Sequence, residues 1–304
     1  MKRENYIELI NKIIEEYLQT PEEERSLTKL SSKYGVKRQT IAKYLKDCGY
    51  EVINYQNRCR IDPTVFDEID TEEKAYWLGF LYADGSIGSS EHKLEMNLSA
   101  HDLDHMNKFK KFIKSDAKTR IETYKGGQYP MCRFSVRNLH LWEQLNSKGC
   151  VPNKTLILTF PDESIFKDKS LIRHFIRGYF DGDGSIGLYQ GKDHRIFNVS
   201  IAGTKSFLKS IRKYIGIYGN IRNESCNAYD SKVFTLTYGF YKARMVSRYL
   251  YENSSIYLTR KYNIYEMFCR AEEESSVLKS SKIGESCDAN TEVSSEIAKG
   301  SETP

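Results

Sequence analysis

Gly79-Phe80-Leu81-Tyr82-Ala83-Asp84-Gly85-Ser86-Ile87-Gly88 recurs ninety-nine residues later as Gly178-Tyr179-Phe180-Asp181-Gly182-Asp183-Gly184-Ser185-Ile186-Gly187, identical at six of ten positions. In each copy an apolar run ends in a carboxylate followed at once by glycine. The segment from Ala75 to Ala83 is apolar nearly all round, the pattern of a helix buried on every side. Asp70 and Glu73 have the spacing of a capping box and set its predicted start. Gly79 and Ala83 lie four apart, as do Gly178 and Gly182, so a stripe of small residues runs along one face of each helix. Glycine inside a helix costs about 0.5 to 1 kcal/mol relative to alanine, and close approach of two backbones is a reason to accept that cost. If the two stripes pack together, Asp84 and Asp183 emerge side by side. Both then face the negative end of a helix dipole, a conflict that a bound divalent cation removes.

Outward from this repeat, each half reads as a helix, two strands, a helix, two strands and a helix, an α+β arrangement of two pseudo-symmetric αββαββα units. In Lys93-Leu-Glu-Met-Asn-Leu-Ser99 alternation is strict, sending Leu94, Met96 and Leu98 to the core and Lys93, Glu95, Asn97 and Ser99 outward. A second hairpin is predicted to carry Lys118, Arg120 and Glu122 on one strand and Tyr129, Met131, Arg133, Ser135 and Arg137 on the next, turning at Gly126-Gly127. The second half is less regular, with His194, Ile196, Asn198 and Ser200 alternating with Phe197, Val199 and Ile201, and with Asn220, Arg222, Val233, Thr235 and Thr237 on later strands.

The two segments resemble the paired LAGLIDADG motifs of single-chain homing endonucleases. The likeness runs through Trp77 to Gly85 and Ile176 to Gly184, and the surrounding repeat carries it over roughly residues 66 to 270. The resemblance implies antiparallel sheets that form saddles along double-stranded DNA. It implies that Asp84 and Asp183 bind the catalytic Mg²⁺ (or Mn²⁺), with the backbone carbonyls of Ala83 and Gly182 as further ligands. It also implies that Lys154 and Lys261, matched in position after each half, lie near the scissile phosphate, where a cation stabilises developing charge. The metals would align the attacking water and the leaving 3′ oxygen. The sixth motif position is Tyr82 in one copy and Asp181 in the other, so Asp181 is unpaired and receives no catalytic role.

Composition agrees with a polyanionic partner. The net charge of +5 conceals an acidic segment at 271–304, with eight acids against three lysines, which leaves residues 1–270 at about +10. Seven cysteines without a Cys-x-x-Cys pair argue against a disulfide framework or a structural zinc site and suggest a reducing compartment, the cytoplasm or an organelle holding the target DNA. No signal peptide or membrane span is read from the sequence, no membrane partner is expected and no protein partner is required. Outward strand faces of polar residues mixed with Arg and Lys, here Lys93, Glu95, Asn97, Lys118, Arg120, Arg133, Arg137, Asn198, Ser200 and Arg222, are what base readout in the major groove requires.

The chain divides into 1–50, a linker at 51–65, a first repeat at 66–165, a second at 166–271 and a tail at 272–304, whose Ser and Glu content predicts disorder. Residues 1–50 read as a helix at 4–19 followed by a helix-turn-helix. Leu27, Leu30, Ser31 and Tyr34 form one inner face, Gly35-Val36 the turn, and Ile41, Ala42 and Leu45 the next inner face. The second helix presents Lys37, Arg38, Gln39, Thr40, Lys43 and Tyr44 outward, a set suited to bases and phosphates.

Competing readings are weaker. Asp181-Gly-Asp-Gly-Ser starts like a calcium loop, but Ile186 stands at the glycine position and Lys192 at the bidentate glutamate. His101 and His105 have zinc-helix spacing without a third ligand, and a solvated helix start explains them better. The expected protein is a monomeric, site-specific double-strand endonuclease with a long asymmetric target. The alternatives are a DNA-binding regulator that has lost catalysis and an intron RNA maturase.

Overall fold

The computed structural model describes residues 3–21, 25–50, 52, 59–88, 92–124, 129–190, 195–223 and 233–270. The predicted turn at Gly126-Gly127, His194, most of the linker at 51–58 and the segment 272–304 lie outside them. Three N-terminal helices, α1 (Arg3–Gln19), α2 (Leu27–Tyr34) and α3 (Arg38–Asp47), enclose a small core of Ile10, Ile13, Tyr17, Leu30, Val36, Ile41 and Leu45. Ser26 caps α2 by accepting from the Lys29 amide, and Gly35 ends it at φ +67, a left-handed turn that glycine enters without penalty. Lys37, Arg38, Gln39 and Lys43 are exposed along α3, whereas Tyr44 is half-buried against the small core.

The main body begins at α4 (Glu72–Asp84) and repeats itself at α7 (Leu171–Asp183), so the ninety-nine-residue offset holds at both ends of the helix. After α4 come β1 (Gly85–Ile87), β2 (Lys93–Ser99), α5 (Leu103–Phe112), β3 (Arg120–Tyr124), β4 (Tyr129–Arg137) and α6 (Leu139–Ser147). After α7 come β5 (Gly184–Gln190), β6 (Arg195–Gly203), α8 (Lys205–Ile215), β7 (Asn220–Asn223), β8 (Phe234–Gly239) and α9 (Phe240–Tyr251), and a further helix covers 259–270. Each half contributes a four-stranded antiparallel sheet, in orders β1-β2-β4-β3 and β5-β6-β8-β7. The α+β repeat expected from the sequence is therefore present.

Two local expectations are corrected. Thr71, not Asp70, caps α4: its hydroxyl accepts from the Lys74 amide, while the Asp70 carboxylate pairs with the Lys74 amine at 2.7 Å. A β-branched hydroxyl one residue nearer the helix out-competes the acid because it reaches the third helical amide. Lys118 precedes β3 instead of lying on it, although it is exposed. Within the predicted linker, residues 59–65 pack on the first half: the Asp62 amide donates to the Ile113 carbonyl at 2.8 Å, and Val65 is buried.

The glycine stripes explain how the halves meet. A methyl placed on Gly79 would lie 1.9 Å from the Phe175 carbonyl oxygen, and one on Gly178 would lie 1.9 Å from that of Tyr76. Phe175 is the ninety-nine-residue counterpart of Tyr76, so the two contacts are images of each other across a local twofold. Ala75 through Tyr82 are all buried, as are Phe175, Ile176, Tyr179 and Phe180, and one continuous hydrophobic core spans both halves. The residue pattern that looked like a helix buried on every side is such a helix, because its twin occupies the side that a sheet would leave open.

Candidate active site

Asp84 and Asp183 are the last residues of α4 and α7, and β1 and β5 start at the glycines that follow them. The close packing continues to the helix ends at Gly182, where a methyl would meet Ala83 Cβ at 2.2 Å and Asp84 Oδ2 at 3.2 Å. The helix pairing thus brings the two acids together, each at the point where a sheet begins. Burial, then the charge of Asp183, pushes the Asp84 carboxyl up to about 6, against the pull of Lys261, Lys154 and Arg260. Asp183 keeps an open face to solvent; loss of water on its other sides raises its carboxyl, and the Tyr179 hydroxyl, Lys154 and Lys261 oppose this. A cavity of 180 Å³ opens beside it, lined in part by Tyr82, Ala83, Lys154, Tyr179 and Asp183.

The lysines occupy matched but unequal places. Lys154, in a short turn of 3₁₀ helix at Lys154–Leu156, donates to the carbonyl of Gly85. Lys261 is 3% exposed and donates to the carbonyls of Phe180 (2.7 Å), Asp181 (2.8 Å) and Gly184. Each amine therefore neutralises the negative end of the helix that carries an aspartate, which resolves the dipole conflict with the chain's own cations. Burial lowers Lys261 to about 8, with Asp181 opposing.

Asp181 is fully buried and accepts hydrogen bonds from Tyr76 (2.7 Å), Tyr251 (2.6 Å) and the Leu258 amide (2.7 Å). It ties α7 to α4, to α9 and to the segment that delivers Lys261. Arg177, also fully buried, donates to the carbonyls of Ile256 (2.9 Å) and Leu250 (3.2 Å) and to Glu72 (2.6 Å). The sequence reading missed Arg177; its signal was a lone guanidinium inside the apolar run Ile176 to Phe180. His105 corrects the solvated-helix reading: His101 is exposed, but His105 is wholly buried between Trp77 and Phe80, ring centroids 4.8 and 4.7 Å away. Burial pushes its imidazole down to about 3. The Tyr76 proton is spent on Asp181, so the 3.1 Å contact to His105 Nε2 calls for the imidazole proton on that nitrogen, and among the described residues Nδ1 has no hydrogen-bond partner.

The outward sheet faces differ between halves. On the first, Glu95 holds Lys93, Arg133 (2.5 Å) and Asn97 (3.1 Å), and Arg120 lies across from Arg133, with Arg137 across from Lys93. On the second, Ser185, Ser200, Thr237 and Asn220 form one row across the sheet, with Asn198 and Arg222 in neighbouring rows. One face is a lattice of charges and the other mostly hydroxyls and amides. Among the described residues no cluster of three or more His, Cys, Asp or Glu could hold a metal, and no helix is long and apolar enough to cross a membrane. Cys48, Cys59, Cys132, Cys150 and Cys269 are free thiols.

No family model matches the chain. An uncharacterized protein of Methanocaldococcus jannaschii is 25% identical over 171 residues, a match that covers 53% of this chain and 61% of the relative's length. Three solved structures similar to the chain are the LAGLIDADG homing endonuclease I-GzeII in complex with its DNA target, I-SmaMI bound to cleaved DNA and I-AabMI bound to uncleaved DNA. For I-GzeII the TM-score is 0.43 at 14% identity, covering 70% of this chain and 96% of that one. For I-SmaMI the values are 0.42, 14%, 67% and 89%. For I-AabMI they are 0.43, 12%, 66% and 92%.

Proposed function

We propose that the chain is a site-specific, double-strand DNA endonuclease of the LAGLIDADG homing type. The observation that carries this reading is the reciprocal packing at Gly79 and Gly178, which delivers Asp84 and Asp183 together where both sheets begin. Two like charges held close with raised carboxyls are a poor structural device and a good hard-oxygen donor set. Asp84 and Asp183, with the carbonyls of Ala83 and Gly182, would hold Mg²⁺ or Mn²⁺, a cation that commonly takes one or two carboxylates and completes its shell with water and phosphate. When bound it polarises the scissile phosphate and acidifies a bound water.

The chain's own groups supply the remainder. Lys154 and Lys261 anchor the helix ends and so fix the direction of each carboxylate, while their charges favour a phosphate overhead. Hydrolysis joins a water oxygen to phosphorus as the bond from phosphorus to the 3′ oxygen breaks, and the 3′ oxygen leaves with a proton. Each aspartate serves mainly one strand. The charged lattice of the first sheet and the hydroxyl rows of the second read different half-sites, so the target is long and not palindromic, and a monomer suffices. The exposed Arg38, Gln39 and Lys43 of α3, with Thr40 beside them, extend contact along the duplex.

A library of random duplexes incubated with the protein and Mg²⁺, with all new ends sequenced, tests this reading. Cleavage at one extended asymmetric motif is expected. Specific duplex binding without cleavage in any divalent metal would instead assign a regulator, and preference for structured RNA over duplex in competition would assign a maturase.

A further inference from the structure

Arg260 stands beside Lys261 at the start of the helix at 259–270, yet its setting differs from that of the lysine. Its Nε donates to both carboxylate oxygens of Asp102, 3.1 Å away in each case. Asp102 belongs to the other half and is 6% exposed, whereas the arginine side chain is 56% exposed. A buried carboxylate holds a guanidinium firmly through a charge-assisted bond. Among the described residues the two terminal nitrogens of Arg260 make no hydrogen bond, so a tethered cation keeps its outer fork free.

This cation adjoins Lys261, whose amine holds the carbonyls at the end of α7, and so belongs to one side of the paired site. All three nearby cations, Lys261 and Lys154 ahead of Arg260, oppose the raised carboxyl of Asp84. The first half offers no equivalent, because Asn153 precedes Lys154 where Arg260 precedes Lys261. The anchor has no equivalent either. Gly85 pairs with Met96 and Gly184 with Ile201, so Asp102 corresponds by strand register to Phe207, a fully buried core ring.

We propose that Arg260, held in place by Asp102, binds the phosphate of one DNA strand and makes the two halves of the active site chemically unequal. A guanidinium whose Nε is engaged presents its two terminal N–H groups as a planar fork matched to phosphate oxygens. The inference rests on the endonuclease reading and specifies it further: the enzyme cuts its strands in order, and one cut depends on a group the other lacks.

The test uses the full chain, Mg²⁺ and a duplex that the unsubstituted protein cuts, with a different label on each strand. Arg260→Ala should slow one strand by about 100-fold and the other by less than about threefold, so that nicked product accumulates. Asp102→Asn combined with Arg260→Ala removes both charges and leaves no buried carboxylate unpaired, and the same strand bias is expected. Arg260→Lys keeps the charge without the fork and should fall between, on the same strand. Equal slowing of both strands, or of neither, in the double variant overturns the assignment. A natively folded, unsubstituted protein that cuts no duplex removes the endonuclease reading itself, and the assignment with it.

Discussion

Tyr76 of the first repeat donates a 2.7 Å hydrogen bond to Asp181 of the second. The bond crosses the interface that brings the two candidate acids together, and its acceptor occupies the motif position that is Tyr82 in the first copy. At this position the second copy departs from the first, and the departure builds a buried polar hub. Asp181 satisfies three donors, none of them from its own helix.

Replacing that hub should be costly for the fold. Asp181→Leu leaves the Tyr76 and Tyr251 hydroxyls and the Leu258 amide without an acceptor in a fully buried site. Each stranded group costs about 1 to 3 kcal/mol, so a loss of at least about 3 kcal/mol in denaturant unfolding is expected. Asp181→Asn retains one acceptor oxygen and should lose less. A leucine variant as stable as the parent would show that the hub contributes no net stability.

The helix interface gives a prediction whose sign runs against propensity. Gly79→Ala and Gly178→Ala would each gain up to about 1 kcal/mol as isolated helix substitutions. The added methyl, however, meets a carbonyl oxygen of the facing helix at 1.9 Å, a backbone atom that cannot swing aside. Each variant should therefore lose at least about 2 kcal/mol, measured by urea midpoint. A gain in either would mean that the helices can separate at little cost.

Much of this was legible before any coordinates. The ninety-nine-residue repeat announced the paired helices, their glycine stripe and the acids at their ends, because close backbone packing requires small residues at fixed spacing and leaves few alternatives. Strand alternation in Lys93 to Ser99 likewise reported which side faces the core. What stayed hidden was partner choice over long separations. The partners of Asp181 at Tyr251 and Leu258 lie 70 and 77 residues away, and nothing local to Asp181 marks them. His105 was misjudged for the same reason: its burial is decided by Trp77 and Phe80 on another helix. The matched lysines stand out in the sequence, but their attachment to helix-end carbonyls depends on where the chain returns.

For the chemistry, Asp84→Asn and Asp183→Asn each remove one carboxylate while keeping its shape. Each should lower double-strand cleavage by at least about 10²-fold and leave duplex affinity nearly unchanged, since neither acid lies on the sheet faces. Gel-shift and cleavage assays on one duplex separate the two quantities. Unaltered cutting by both variants would refute the catalytic assignment.

The metal-free protein should also lose stability as pH rises across the range where Asp84 titrates. Its carboxyl is raised from the ordinary value of 3.8 to about 6, first by burial and then by Asp183. Below about pH 4 both folded and unfolded chains hold this proton, and the contribution to stability is complete. Between about pH 4 and 6 the unfolded chain releases it first, so folding becomes less favourable, by up to about 3 kcal/mol once the folded carboxyl ionises. Asp84→Asn cannot ionise and should flatten that part of the profile, ending more stable than the parent above about pH 6 when both are measured in chelator. Mg²⁺ should then stabilise the parent and not the variant, because a cation bound only by the folded state adds its binding energy to folding. Parallel profiles for parent and variant would mean that Asp84 ionises as an exposed acid does, and equal indifference to Mg²⁺ would remove it as a metal-holding group.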